Sequence, residues 1–182
     1  EKAAWDEPVE TAIPIDTIRR LNDKLLDLQE SDIDLAIRYG GGTWEETSLI
    51  QPLTWHVRYF PICSPSYLEV LPEAPSIGDI AQAKLLYLTG SPHQWENWDT
   101  WFASIGASPP AEANRISFDN YMSILQSVID GRGIALGWDL VVDDLLNDGK
   151  VVRPLDETVA TDHGYYLVKP AHKAISNAMQ MF

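Results

Sequence analysis

The stretch Arg115–Trp138 (RISFDNYMSILQSVIDGRGIALGW) constrains the fold more than any other part of the chain. It opens with a short apolar run, Ile116–Phe118, that ends in Phe118-Asp119-Asn120. Tyr121, Ile124, Leu125, Val128 and Ile129 then recur at i, i+3, i+4, i+7 and i+8, the spacing of one buried helical stripe. Asp119 stands where an N-cap is expected, its carboxylate able to accept from the free N–H groups of the first turn. Gly131 and Gly133 are expected to end the helix, because a left-handed residue there lets the chain turn back. Ile134–Gly137 lacks polar alternation and reads as a strand buried on both faces. Strand, helix and strand with short links predict a βαβ unit whose strands run parallel. Such sheets bind ligands outside the carboxyl ends of their strands. Those ends carry Ser117, Phe118, Asp119, Trp138 and Asp139.

Composition limits what the rest can be. A chain of 182 residues with 45% hydrophobic residues has enough apolar side chain for one domain or two small lobes. Its net charge of -14 argues against nucleic-acid binding by this segment, since phosphate contacts need clustered Lys and Arg. No apolar run reaches membrane-spanning length, and no signal peptide opens the sequence. One cysteine, Cys63, cannot form an internal disulfide, which favours a reducing compartment.

Catalytic signatures are lacking. His56, His93, His163 and His172 show no metal-ligand spacing with one another or with Cys63. There is no G-x-S-x-G elbow and no H-E-x-x-H. Cys63 becomes a nucleophile only if a histidine meets it in space, and a lone buried thiol is the commoner case. Neither a metal nor a cofactor is expected, and an enzyme ranks behind two binding readings.

Along the chain, Val9–Ile15 reads as an edge strand and Ile18, Leu21, Leu25 and Leu28 as a helix leading into the strand Ile33–Ile37. Tyr39-Gly40-Gly41-Gly42-Thr43-Trp44 is a glycine-rich loop. It matches neither G-x-G-x-x-G nor a P-loop, so a turn allowing close backbone approach to a ligand or neighbour competes with a phosphate cradle. Leu49–Pro65 suggests a strand pair with one wet face. Ser66–Leu71 and part of Pro72–Ala83 suggest short helices, and Leu85–Leu88 a buried strand. In Gln94–Ile105, Trp95, Trp98, Trp101, Phe102 and Ile105 fall on one stripe, which suits a core-facing helix better than an aromatic cage. Val141–Leu146 is helical, Val151–Arg153 a strand, Asp156–Gly164 a polar connection, Tyr165–Val168 a strand, and Lys173–Phe182 the start of a helix.

Four of these pieces, in order, resemble the effector-binding domain of the LysR-type transcriptional regulators. SFDNYMSILQSVIDGRGIALGW is similar to the second-lobe helix and the Gly-x-Gly strand after it. DIDLAIRYGG (Asp32–Gly41) resembles the strand closing the first lobe. YFPICSP (Tyr59–Pro65) resembles the outgoing crossover, and Val152–Pro154 with YYLVKP (Tyr165–Pro170) the return. The resemblance runs from about residue 9 to the C-terminus and is nearest the glycine-cleavage-activator-like branch. It implies an α/β fold of two Rossmann-like lobes joined by two crossover strands, the periplasmic-binding-protein-like type 2 arrangement. Residues 1–62 with 163–182 would form lobe I and 63–162 lobe II. The family's first strand and helix, and its winged helix-turn-helix, lie upstream of what is present. A truncated chain with an incomplete lobe I is therefore expected.

The function implied is that of a cytoplasmic effector sensor. A small molecule held between the lobes would control DNA binding by the absent helix-turn-helix, in a homodimer or tetramer with no membrane contact. A stand-alone solute-binding protein serving a transporter is the alternative, and the segment preceding Glu1 would discriminate them. The strand-end rule places Tyr39, Gly40, Ser117, Phe118, Asp119, Trp138 and Asp139 at the ligand, and the family pattern adds Tyr165 or Tyr166. Thr43 and Trp44 would cover one edge. The N-terminus of the 120–130 helix suits an anion. The rings of Trp138, Tyr39 and Phe118 beside Asp119 and Asp139 suit an amine. A zwitterion would use both, and Trp138 as simple packing is the bland alternative.

Overall fold

The unit read from Arg115–Trp138 forms as expected, but with another strand inside it. In the computed structural model, which describes residues 35–43, 47–53, 57–89, 96–108, 110 and 112–174, the elements in question are β4 (Leu85–Leu88), β5 (Arg115–Phe118) and β6 (Ala135–Trp138). Strand β4 pairs in parallel with β5, with Leu86 opposite Ile116. On its other side a parallel bridge joins Leu85 to Ile134, closed by Leu86 N–H donating to the Ile134 carbonyl at 2.9 Å and Ile134 N–H to that of Lys84 at 2.9 Å. So β5 and β6 run parallel, with β4 between them.

Helix α4 (Tyr121–Ile129) connects those strands and buries Tyr121, Ile124, Leu125 and Val128, the stripe read from the sequence. Its cap is Asn120 rather than Asp119: the Asn120 Oδ1 accepts from the Ser123 N–H at 3.1 Å. Asn satisfies the first-turn donors as well as Asp does, and the chain turns one residue later than the sequence suggested. At the far end Gly131, at φ 73°, closes the helix with its N–H on the Val128 carbonyl, and Arg132 N–H reaches Ser127. Gly133 has a different task from the expected one. A Cβ there would lie 2.6 Å from the Lys84 carbonyl oxygen, so it permits the close passage of β4 rather than a turn.

Strand β3 (Arg58–Ile62) completes this sheet. It pairs antiparallel with β6, Tyr59 opposite Trp138, and with β7 (Val159–Ala160), Arg58 opposite Ala160. The order β5-β4-β6-β3-β7 follows. Helix α3 (Trp98–Ser104) starts at a capping box between Asn97 and Thr100 and buries Trp98, Trp101 and Phe102 almost completely. The core-facing reading of that aromatic stripe holds; Trp95 lies outside the described residues. Trp98 Nε1–H donates to the Leu86 carbonyl at 3.1 Å, which satisfies the buried indole. Short helices α1 (Pro65–Leu68) and α2 (Ile77–Gln82), then α5 (Asp139–Asn147), complete the set.

Arg58–Thr161 form one compact unit, and the described residues up to Val57 and from Asp162 form another. The latter is a three-stranded antiparallel sheet ordered β1-β8-β2 from Ala36–Gly40, Gly164–Pro170 and Thr47–Pro52. Strand β8 is buried along most of its length, with Tyr166 and Val168 packed against Ala36. The expected pairing inside Leu49–Pro65 is not found: β2 pairs with β8, whereas β3 belongs to the other sheet. Nor is Val151–Arg153 a strand, as Val152 makes a single antiparallel bridge to Cys63. The elements expected at Val9–Ile15, through Leu28 and beyond residue 174 lie outside the described residues.

Candidate functional site

In the unit Arg58–Thr161, the carboxyl ends of β5 and β6 present the residues of interest. At the end of β5, Ser117 and Asp119 are exposed and Phe118 is half-buried. The Phe118 carbonyl accepts from both the N–H and the hydroxyl of Thr89, at 2.7 and 3.1 Å, which ties this end to the end of β4. Helix α4 begins immediately after it. The helix has nine residues, no acidic residue in its first turn, and its positive dipole end toward Ser117-Phe118-Asp119.

The end of β6 is built differently. Trp138 is 4% exposed. Its indole is stacked with the Tyr59 ring, centroids 6.4 Å apart and planes at 22°, and meets the Tyr121 ring edge-on at 5.0 Å. Tyr121 is itself fixed, its hydroxyl donating to the Leu136 carbonyl at 3.1 Å. Asp139 opens α5, where its Oδ1 accepts from the Leu140 N–H at 3.0 Å and its Oδ2 from Arg58 Nε at 3.1 Å. Arg58 is 63% exposed, so this ion pair contributes only about 0–1 kcal/mol. One turn on, burial raises the Asp143 carboxyl pKa, helped by the nearby Asp139 charge and opposed by Arg58.

In the other unit the sheet brings two more site residues together. Tyr39 near the end of β1 lies opposite Tyr165 near the start of β8, with rings 5.2 Å apart, and meets His163 edge-on at 5.6 Å. Gly40 pairs with Gly164 and ends the strand. Gly42, at φ 87°, lets the backbone approach the Tyr166 ring, since a Cβ would sit 3.1 Å from it. The glycine run is therefore a turn packed on a neighbour, as one of the two sequence readings had it. Thr43 is exposed, and Trp44 lies outside the described residues.

Tyr59, Tyr121 and Arg58 escaped the sequence reading as site residues. Tyr121 was visible only as a member of the helix stripe, and nothing local marks Arg58 as the partner of Asp139. Cys63 is fully buried, and burial pushes its thiol up to about 12, so it is a poor nucleophile. Among the described residues no group of His, Cys, Asp and Glu could hold a metal ion, and no helix is long and apolar enough to cross a membrane.

The chain matches the family described as "LysR substrate binding domain" over residues 13–182. AmpR of Yersinia enterocolitica, an HTH-type transcriptional activator, is 29% identical over 176 residues, which cover 92% of this chain and 54% of AmpR. The glycine cleavage system transcriptional activator of Escherichia coli K12 is 26% identical over 156 residues, 86% of this chain and 48% of that protein. The chain thus spans about half the length of the curated relatives it matches. Those relatives are named as transcription activators, not enzymes. The effector domain of AmpR from Pseudomonas aeruginosa superposes with a TM-score of 0.71 at 26% identity, covering 85% of this chain and 71% of that one. The AmpR effector binding domain of Citrobacter freundii gives 0.73 at 24%, covering 87% and 74%. The fold is that of these effector domains, α/β and periplasmic-binding-protein-like, type 2.

Proposed function

Because the chain belongs to the LysR substrate-binding domain family, through its match over residues 13–182, we propose that it is the effector-sensing part of a transcription regulator. In this reading the two compact units are the two lobes. A small molecule binds at their strand ends and biases the regulator between two states. It does so only to the extent that its affinity differs between them. DNA contacts belong to a helix-turn-helix segment outside this chain, in keeping with a net charge of -14 here. The regulator works as a homodimer or tetramer in the cytoplasm, without catalysis and without a cofactor.

The open end of β5 carries this reading. Exposed Ser117 and Asp119 flank the start of α4, so donors for a carboxylate and an acceptor for an ammonium lie a few residues apart. A zwitterion of amino-acid type satisfies both. In the same unit Phe118 shares this end, with Trp138 and Asp139 as further candidates at the end of β6, and Tyr39, Gly40, Thr43, Trp44 and Tyr165 are the candidates of the other unit. Asp139 is the weaker candidate for an ammonium, since Arg58 already neutralises part of its charge.

Calorimetric titration of the intact regulator with amino acids, amines and simple carboxylates tests the proposal. Asp119→Asn is expected to weaken ligands bearing an ammonium group and to spare plain carboxylates. Trp138→Phe is expected to cost about 0.5–2 kcal/mol if a cation lies against the indole. An effector whose affinity is untouched by both substitutions would overturn the assignment.

A further inference from the structure

Thr89, which the effector reading leaves unused, sits where the connections of its sheet part. Strand β4 leads through α3 outward to β5, and β5 leads through α4 back past β4 to β6. Crossovers between parallel strands are right-handed, so two that run in opposite directions lie on opposite faces of the sheet. The face of α3 is marked by Asp99, which binds the Arg115 guanidinium at 2.8 and 3.3 Å while that group lies over the Tyr87 ring. The chain therefore departs from the carboxyl ends of β4 and β5 toward opposite sides. Such a switch point is where open α/β sheets take their ligands. Its two walls are Thr89 after β4 and Phe118-Asp119 after β5.

The hydrogen bonds at this point run one way. The Phe118 carbonyl accepts the Thr89 N–H at 2.7 Å and the Thr89 hydroxyl at 3.1 Å. A carbonyl oxygen has two lone pairs and no proton to give, so it is filled and the hydroxyl proton is committed to it. What the exposed Thr89 oxygen still offers is acceptor capacity alone. Asp119, joined to the same carbonyl through its peptide bond, is exposed too, and its carboxylate is not used as the cap of α4. We propose that Thr89 is a specificity residue of the effector site, forming with Asp119 an acceptor pair for an ammonium that carries its own N–H groups. This rests on the effector reading and narrows it: the effector is an amino acid with an unmethylated nitrogen. A quaternary ammonium has no N–H to give, and would set methyl groups against two acceptors. It is held well only where ring faces, rather than Thr89 and Asp119, set the affinity.

The test titrates the intact regulator by calorimetry with the proteinogenic amino acids, and then with the N-trimethylated form of each one that binds. Trimethylation is expected to weaken binding at least about tenfold, the loss of a hydrogen bond from a charged donor. Thr89→Val removes the oxygen at similar volume and leaves the Phe118 carbonyl its N–H donor, so the fold is not at stake. It is expected to weaken the parent amino acid about tenfold and to leave the trimethylated form unchanged, because only the parent gives Thr89 a proton to accept. Thr89→Ser keeps the acceptor and should keep the parent affinity. A merely structural effect of the valine would shift both forms alike. Trimethylated forms that bind as well as their parents, or a Thr89→Val variant that changes both forms equally or neither, overturn the role of Thr89 and leave the effector site at the end of β5 standing. Binding by none of the amino acids overturns the zwitterion reading and this inference with it.

Discussion

The ends of β5 and β6 sit on either side of the same helix and look alike in sequence, each an apolar run closed by an aromatic and an aspartate. They differ in what surrounds them. After β5, Ser117 and Asp119 face solvent and Phe118 is half-buried. After β6, the whole of Ala135–Trp138 is buried, two tyrosine rings hold the indole, and Arg58 holds Asp139. The cause is the third neighbour. Strand β6 is flanked by β4 and β3, whereas β5 has β4 alone among the described residues. A strand end at the sheet margin keeps polar groups available, while an interior one consumes them. One end is suited to contact a ligand, the other to hold its surroundings still.

The largest test of that contrast is Trp138→Ala. If the end of β6 is framework, the loss of a buried indole costs about 3–5 kcal/mol in urea unfolding. A cost below about 1 kcal/mol would show the ring to be exposed to ligand rather than packed. The caps separate the two ends next. Asn120→Ala is expected to cost about 1 kcal/mol through the lost acceptor for Ser123 N–H. Asp119→Ala should change stability by no more than about 0.5 kcal/mol, because the exposed side chain is not the cap. Reversed magnitudes would restore Asp119 as the cap.

The smallest effect concerns Asp143, on the helix that follows β6. Its carboxyl is raised above the ordinary value, so the folded chain holds a proton there more tightly than the unfolded one does. That contribution is complete at pH below the unfolded value, 3.8, and disappears as pH rises through the folded one. Asp143→Asn should therefore stabilise the protein modestly at neutral pH and give no gain below pH 3.8. A gain confined to acid pH would contradict the burial of this side chain.

Much of this was legible where the signal is local. The spacing of Tyr121, Ile124, Leu125 and Val128 set the buried face of α4, and that of Trp98, Trp101 and Phe102 set α3, because helical periodicity depends only on near neighbours. Strand partners are another matter. Leu49–Pro65 contains two strands close in sequence, yet β2 is paired with β8 and β3 with β6 and β7. Nothing in the alternation of a strand says which distant strand completes it. The two-residue β7 escaped inside a polar connection for the same reason, as its pairing with Arg58 and Tyr59 is all that makes it a strand. At the candidate site the residue types were readable at the strand ends, but their exposure was not. Whether Trp138 faces outward or is clamped depends on Tyr59, which lies 79 positions earlier in the chain.

The placement of β8 carries a consequence for biosynthesis. It is the middle strand of its sheet, yet among the last described segments to emerge from the ribosome. Strands β1 and β2 have no pairing partner among the described residues until Gly164–Pro170 exist, whereas every strand of the unit Arg58–Thr161 is made by Ala160. At about 5–20 residues per second, β1 and β2 wait on the order of ten seconds with their edges open. Most of that wait is the time taken to make the unit Arg58–Thr161, whose last strand precedes β8 by only a few residues, and the sheet bearing Tyr39 and Tyr165 is finished last.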